Sequence, residues 1–262
     1  MSLVLSFLRF YSRALVIMVA GLLLWSGLHA RQPGAVNSAE ALASVQQAPP
    51  VEQKPEAQHI EPDYELPVAE TGSVPVISRI PTDQKVVFLT LDDGLVRKPE
   101  AQKLLDEYNI KAPMFLNDEY ARADPPYFKK LLKTGLTIGS HTVDHADLTT
   151  LGYDGQVAEI CTNADTLEFE LGVRPKLFRP PYGSYDANTV QAAAVCGMRA
   201  LVMWSAKANG GSMQYQDGQE GLVPGDIVLM HFREEFAEDF TAFTDAAEQA
   251  GLQPASLDEW LQ

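Results

Sequence analysis

The chain has 262 residues, and 46% of them are hydrophobic, which is enough for one substantial core or two small ones. Its 35 acidic and 20 basic residues give a formal net charge of −15 at pH 7. Such acidity discourages nucleic acid and anionic lipid as partners and is compatible with a neutral substrate.

Residues 1–30 have the pattern of an export signal. Arg9 and Arg13 precede an apolar, uncharged stretch, Ala14–Leu28, and Ala30 offers a small residue at a cleavage site. The stretch is shorter than the roughly 20 residues that a spanning helix needs. Leu28 is large for its place before a cut, so an uncleaved membrane anchor stays open as the alternative. Either reading predicts an extracellular protein, secreted or anchored to the outer face of the cytoplasmic membrane.

Residues 31–80 are rich in Ala, Gln, Pro, Glu and Val and show neither helical nor strand periodicity. We interpret them as a flexible linker, with His59 solvated. Residues 81–262 then form the folded domain, which we expect to be monomeric.

The folded domain alternates short apolar runs with helical patterns, which favours parallel βαβ units. The predicted strands are Val86–Thr90, Ala112–Leu116, Leu136–Gly139, Leu177–Arg179, Ala200–Met203, Ile227–His231 and a run around Leu252–Pro254. The predicted helices are Pro99–Tyr108, Pro126–Lys133, Tyr153–Leu171, Ala187–Cys196 and Glu238–Ala250. Seven strands fit an incomplete barrel or an open doubly wound sheet.

Polar residues cluster where these strands end, and active sites of parallel α/β folds gather at that edge. All three histidines of residues 81–262 lie there. The strand-end residues are Asp92, Asp93, His141, His145, Arg179, Pro181, Tyr182, Trp204 and His231.

His141 and His145 are spaced i, i+4, which would place two imidazoles on one face of a helical turn. A carboxylate from Asp92 or Asp93 would complete a two-His, one-carboxylate metal site. The second carboxylate could then act as a base on a metal-bound water, and His231 as an acid. The alternatives are a turn at the aspartates, two polar loop histidines and a structural His231.

Four motifs in the same order resemble the polysaccharide deacetylase family, carbohydrate esterase family four. They are "TLDDG", "HTVDH", "RPPYG" and "LMH", and the resemblance covers residues 81–262. It implies an irregular (β/α)7 barrel. It also implies a divalent metal, commonly zinc, with cobalt or nickel as alternatives.

The resemblance further implies a role for each matching residue. Asp92 would be the general base and His231 the general acid, while Asp93, His141 and His145 would be the metal ligands. In the remaining motifs, Arg179 would hold Asp92, Tyr182 after Pro181 would offer its backbone N–H to the oxyanion, and Leu229 would line the acetyl pocket.

One family feature is missing after the fifth predicted strand. An acidic motif whose aspartate pairs with the arginine would fall on Gly210-Gly211 in "MWSAKANGGSMQY". Arg179 would therefore lack its usual partner. An aromatic wall would have to come from elsewhere, with Trp204 and Tyr215 as candidates and a core role for Trp204 as the alternative.

Cys161 and Cys196 flank the fourth predicted strand on consecutive helices, which are often neighbours in a parallel array. An exported protein permits a disulfide between them, and two buried thiols are the alternative.

The predicted function is metal-dependent removal of acetyl groups from an extracellular or cell-wall polysaccharide, with N-acetylglucosamine as the favoured target. The alternatives are an acetylxylan-type O-deacetylase, a hydrolase of another small amide or ester, and a wall-anchored carbohydrate-binding module without turnover.

Overall fold

The computed structural model describes residues 59–262, and the predicted signal or anchor at residues 1–30 lies outside this range. Within the range, ten strands form one branched sheet. They are β1 (Val76–Ile77), β2 (Val86–Asp93), β3 (Pro113–Leu116), β4 (Thr137–Ser140), β5 (Leu177–Phe178), β6 (Ala200–Val202), β7 (Ala206–Ala208), β8 (Met213–Tyr215), β9 (Ile227–His231) and β10 (Gln253–Pro254).

The strand order is β1-β6-β5-β4-β3-β2-β9-β7-β8, and β10 adds to β2. Every pair is parallel except the β7–β8 hairpin. The carboxyl ends of β2, β3, β4, β5 and β9 therefore meet at one edge, because parallel strands all point the same way. This is the irregular α/β barrel that the sequence predicts.

Seven α-helices connect the strands of the described chain. They are α1 (Pro99–Glu107), α2 (Asp118–Ala123), α3 (Pro125–Lys133), α4 (Tyr153–Leu171), α5 (Ala187–Val195), α6 (Phe236–Ala250) and α7 (Leu257–Trp260). Proline occupies the first turn of α1 and of α3, where its missing N–H costs no helical hydrogen bond. Asp186 begins α5 with a reciprocal capping box to Thr189.

The central strands are buried on both faces, as a parallel sheet covered by helices requires. The first seven residues of β2 are all buried, and so are all four residues of β3. A phenylalanine cluster on the α6 side, which includes Phe128, Phe232, Phe240 and Phe243, packs against this sheet. The rigid core below the site explains why the strand ends can hold charged side chains at fixed positions.

Part of the predicted linker lies against the domain in the structure. Residues 59–80 include β1, which pairs with β6. Ile60, Tyr64 and Leu66 pack on the buried cluster around Phe88 and Trp260. Residues 31–58 lie outside the described range, so the linker interpretation there stays a prediction.

The predicted strands and helices agree with the structure to within three residues at each end. The sequence missed β1, α2, α7 and the β7–β8 hairpin, all of which are short and lack a clear period. No helix among residues 59–262 combines the length and the apolar character needed to cross a membrane.

Candidate active site

The end of β2 places two carboxylates side by side. Consecutive side chains of a strand normally point to opposite faces, but Asp93 has φ +72°, which turns its carboxylate back toward the site. Gly94 follows with φ +88°, and a Cβ at that position would lie 2.8 Å from the Phe128 ring. The Asp-Asp-Gly sequence is therefore a turn that brings both aspartates to one side.

His231 enters the same site through strand register. It is the direct partner of Asp92 in the parallel β2–β9 pair, so the two side chains leave the sheet next to each other. Burial lowers the pKa of His231 to about 4, and the neighbouring Asp92 acts in the opposite direction. Leu229, two residues earlier on β9, is buried beside Thr90.

His141 and His145 lie on a loop that follows β4, not on the predicted helical turn. Thr142 and His145 have φ of +67° and +62°, which are incompatible with a right-handed helix. The loop still brings the two imidazole rings to a centroid distance of 4.9 Å. The two imidazoles therefore converge as the i, i+4 spacing predicts, but a loop brings them together and not a helical turn.

Asp93, His141 and His145 form a compact group of potential metal ligands. Asp93 Oδ1 lies 3.6 Å from His141 Nε2 and 3.5 Å from His145 Nε2. Bonds of roughly 2.0–2.2 Å to a tetrahedral zinc ion place neighbouring ligand atoms roughly 3.4 Å apart. Buried Asp93 Oδ1 has no hydrogen-bond partner within residues 59–262. The donor set and its spacing therefore fit a divalent metal ion.

The orientation of His141 is fixed from behind. Its Nδ1 lies 2.7 Å from the carbonyl oxygen of Arg179, so Nδ1–H donates and Nε2 keeps its lone pair facing Asp93. Burial lowers the pKa of His141 to about 4 and raises the pKa of Asp93. Both shifts favour the uncharged forms of these groups, because burial penalises charge.

A buried polar network on α4 and α2 supports His141. Asn163 Oδ1 accepts hydrogen bonds from the backbone N–H of His141 at 3.2 Å and from the Ser140 hydroxyl at 2.6 Å. Asn163 Nδ2 donates to Asp118 Oδ1 at 2.7 Å. Thr166 donates to the other oxygen of Asp118 at 2.7 Å. No sequence pattern indicates this support, since Asn163 lies inside a helix without a motif.

Arg179 is fully buried, and each of its three guanidinium nitrogens donates at least one hydrogen bond. The guanidinium donates to Asp92 Oδ1 at 2.8 Å and to the Thr90 hydroxyl at 2.7 Å. It also donates to the carbonyl oxygens of Val202 at 3.0 Å and Met203 at 2.9 Å. The carbonyls at the end of β6 thus satisfy the donors that an acidic partner would otherwise take.

Tyr182 provides an exposed aromatic ring at the site. The side chain is 69% exposed, and its ring lies edge-on to His145 at a centroid distance of 4.6 Å. Its φ of +61° is unusual for a tyrosine and sets the ring's direction. Pro181, immediately before it, is buried.

The two aromatic residues considered for the pocket wall take different places. Trp204 is half-buried, and its ring centroid lies 5.7 Å from the Arg179 guanidinium carbon. Tyr215 is on β8 and packs against the main hydrophobic cluster. Of the two, Trp204 is the one that the structure places beside a site residue.

Backbone strain is concentrated at this site. Six non-glycine residues of the described chain have positive φ, and four of them are site residues or their direct neighbours: Asp93, Thr142, His145 and Tyr182. Such conformations cost of order 1–3 kcal/mol each and persist where the surrounding structure over-determines them. Their clustering indicates that the geometry of these loops is set by function.

Cys161 and Cys196 form the predicted disulfide, which joins α4 to the end of α5. A loop of 35 residues closed in this way stabilises a domain by roughly 3–4 kcal/mol in the chain-entropy model. Because Asn163 is two residues from Cys161, the bridge also anchors the part of α4 that supports His141.

Arg233 is a further charged residue at the site that sequence reasoning missed. Its NH2 lies 3.9 Å from Asp93 Oδ2, and its NH1 donates to Asn209 Oδ1 at 3.2 Å. The only sequence signal is its place two residues after His231, because Asn209 belongs to the unpredicted hairpin.

Comparisons with known proteins identify relatives of this chain. A family model described as polysaccharide deacetylase matches residues 79–201. A chitooligosaccharide deacetylase of Sinorhizobium fredii is 30% identical over 65% of this chain and 82% of its own length. A peptidoglycan-N-acetylglucosamine deacetylase of Bacillus cereus is 30% identical over 58% of this chain and 57% of its own length, so this chain spans little more than half of that relative.

Among solved structures, a wild-type pseudoenzyme of the same esterase family from Bacillus anthracis has a TM-score of 0.62 at 22% identity. The match covers 72% of this chain and 70% of the other, and it supports the fold alone. The family model and the sequence relatives show that the chain belongs to the polysaccharide deacetylase family.

Proposed function

We propose that this protein is a metal-dependent hydrolase that removes N-linked acetyl groups from a polysaccharide containing N-acetylglucosamine. One observation carries the proposal. Three potential metal ligands, Asp93, His141 and His145, lie in the same site as His231 and as Asp92, which Arg179 holds. The named activities of the Sinorhizobium and Bacillus cereus relatives support the same reaction class and point to chitooligosaccharide or peptidoglycan substrates.

In the proposed reaction, Asp92 accepts the proton of the attacking water. Its carboxylate is held by Arg179 at 2.8 Å, and its second oxygen lies 3.8 Å from His141 Nε2, next to the metal ligands. A divalent cation held by the three ligands would supply Lewis-acid chemistry, which polarises the acetyl carbonyl and makes water acidic near neutral pH. Asp92 is thus close to the atom that loses the proton.

His231 then protonates the departing sugar nitrogen, and because burial keeps this histidine neutral near pH 7, the proton that it gives is the one that Asp92 has taken from the water. It stands opposite Asp92 across the β2–β9 pair, so base and acid flank one position above the strand ends. Leu229 on the same strand lines the pocket for the acetyl methyl group, and the backbone N–H of Tyr182 donates to the developing oxyanion. The exposed Tyr182 ring offers an apolar face to a sugar.

Acetate release tests this proposal directly. The full chain would be stripped of metal, reloaded with zinc, cobalt or nickel, and assayed on N-acetylglucosamine oligomers, peptidoglycan and acetylated xylan. We expect metal-dependent acetate release from the first two substrates and its loss in His141→Ala. Release from acetylated xylan alone would favour the O-deacetylase, and metal-independent release would contradict the proposed chemistry.

A carbohydrate-binding module without turnover is the second candidate. It is favoured by the absent acidic motif and by the existence of a pseudoenzyme with the same fold. It predicts glycan binding by the metal-loaded chain without acetate release. The hydrogen bonds of Arg179 argue against it, because Arg179 holds Asp92 in place without that motif.

We also propose that the protein acts outside the cytoplasm, as a monomer, with residues 1–30 as export signal or membrane tether. The disulfide between Cys161 and Cys196 supports this location, since such bonds persist in oxidising compartments. Cell fractionation with an antibody to the folded domain would test it, and a cytoplasmic pool with reduced thiols would contradict it.

A further inference from the structure

Arg233 is a partly exposed cation at the mouth of the candidate site. It follows β9, two residues after His231, and its side chain is 41% exposed. Its guanidinium lies 3.9 Å from Asp93 and is oriented by the hydrogen bond of 3.2 Å to Asn209. One side of the group therefore faces the reacting centre and another faces solvent.

The residue that orients Arg233 is itself held firmly. Asn209 lies in the turn of the β7–β8 hairpin, and its backbone N–H donates to the Ser212 carbonyl at 2.9 Å. Gly211, two residues later in the same turn, donates its backbone N–H to the buried carboxylate of Asp239 on α6 at 2.8 Å. The hairpin that stands where the family's acidic motif would fall thus serves to position a cation.

The charges of the side chains around the metal ligands balance when Asp93 is ionised, as metal binding requires. Asp92 and Asp93 then carry two negative charges, while Arg179 and Arg233 carry two positive ones. A divalent cation at the three ligands makes this centre net positive and engages Asp93. Arg233 is then left with weaker attraction to Asp93 and with an exposed side that can take an anion.

Two of the nearby acidic side chains have other partners. Asp239 is buried and accepts from Gly211, and Glu234 forms an ion pair with Lys98. In a chain with a net charge of −15, an oriented cation at the site mouth is a local exception. An oriented charge of this kind contributes more to the choice between substrates than to the overall affinity for anions.

We propose that Arg233 is a specificity-determining residue that binds a carboxylate carried by the glycan, on or beside the acetylated sugar. This inference rests on the proposed deacetylase function and narrows its substrate class to acidic N-acetylated glycans. The lactyl carboxylate of N-acetylmuramic acid has the required chemistry, and the neutral oligomers of N-acetylglucosamine lack it. Arginine suits the role because its planar group matches a carboxylate with two hydrogen bonds.

The test uses a matched pair of substrates and a set of variants. The substrates are an oligosaccharide of alternating N-acetylglucosamine and N-acetylmuramic acid and the same oligosaccharide with its carboxylates converted to methyl amides. The variants of the full chain are Arg233→Gln, Arg233→Lys and Asn209→Ala. Arg174→Gln, which removes one exposed charge from an ion pair on the α4 side, is the control for net charge.

We expect the wild type to prefer the carboxylate form in kcat/KM. Arg233→Gln should reduce that preference about tenfold, the loss of one charge-assisted pair at a partly exposed site. Arg233→Lys should keep part of it, Asn209→Ala should lie in between, and Arg174→Gln should leave it unchanged. Equal losses on both glycans, or no preference in the wild type, would overturn the proposal.

Binding measured by calorimetry separates this inference from the proposed function. If no glycan releases acetate but the zinc-loaded chain binds the carboxylate form more tightly in an Arg233-dependent way, the specificity role stands and the deacetylase proposal fails. If acetate is released and Arg233→Gln binds both glycans with unchanged relative affinity, the deacetylase stands and the specificity role fails.

Discussion

Arg179 donates a hydrogen bond of 2.8 Å to Asp92, and both side chains are almost completely buried. The other hydrogen bonds of Arg179 go to the Thr90 hydroxyl and to the carbonyl oxygens of Val202 and Met203. The Arg179–Asp92 pair therefore forms without the acidic residue that the family resemblance implies at Gly210-Gly211. One arginine can hold Asp92 when a hydroxyl and two backbone carbonyls accept its other hydrogen bonds.

Replacing the buried arginine should harm stability and turnover together. Arg179→Met leaves Asp92 as an uncompensated buried charge, so we expect the free energy of unfolding to fall by about 3–5 kcal/mol. Urea unfolding followed by circular dichroism measures this. The exposed Arg174→Met, which breaks only surface ion pairs, should cost no more than about 1 kcal/mol. Similar losses in both variants would mean that the buried Arg179–Asp92 pair contributes no more to stability than surface ion pairs do.

Restoring an acidic residue at the expected position should not help. The aspartate of the expected Asp-Trp pair would fall on Gly210, which has φ +61°, and the neighbouring Gly211 gives its N–H to Asp239. Gly210→Asp would add backbone strain of about 1 kcal/mol and a second carboxylate next to the Gly211–Asp239 contact. We expect lower stability and no gain in acetate release.

Gly218→Asp separates these two causes, because Gly218 has φ +73° in open space. It should show the strain alone, and the excess loss in Gly210→Asp reports the carboxylate repulsion. Higher activity in Gly210→Asp would mean that the missing motif limits this protein.

The Asn163 network should matter for metal binding. Asn163→Ala removes the acceptor of the His141 N–H and leaves Asp118 without one donor. We expect zinc affinity to fall about 10–100-fold, as for other outer partners of metal ligands. Competition with a chromogenic chelator measures the affinity. Unchanged affinity with lower thermal stability would assign Asn163 a purely structural role.

His231 should make the metal-free protein sensitive to acid. Its folded-state pKa of about 4 lies below the ordinary value of 6.5, so the unfolded chain takes up a proton at a higher pH than the folded one. Stability is therefore lost as the pH falls from 6.5 to 4, by about 3 kcal/mol for a shift of this size. The difference in unfolding free energy between pH 7 and pH 4 should be smaller in His231→Gln. An equal difference in both proteins would contradict the shift.

Much of the site could be predicted because its residues follow buried strands. Asp92, Asp93, His141, Arg179 and His231 sit where strong apolar runs end, and parallel strands bring such ends together. The same alternation of runs and helical patterns predicted parallel βαβ units, and the resemblance to the family selected the irregular (β/α)7 barrel from the two arrangements that these units allow.

Other parts depend on contacts that no local pattern encodes. The His141–His145 loop has positive φ at Thr142 and His145, so spacing alone suggested a helical turn where there is none. The β7–β8 hairpin has three-residue strands, too short for a period to show. Arg233 gains its position only through this hairpin, and Arg179 its carbonyl partners only through the end of β6.

The most direct test of the account separates the two adjacent aspartates. Zinc affinity and acetate release from peptidoglycan would be measured for the full-length wild type, Asp92→Asn and Asp93→Asn. The account predicts that Asp92→Asn binds zinc nearly as the wild type does and loses at least about 100-fold in acetate release, as removal of a general base requires. Asp93→Asn should lose both properties. Full activity in Asp92→Asn, or unchanged zinc affinity in Asp93→Asn, would contradict the roles assigned to the end of β2.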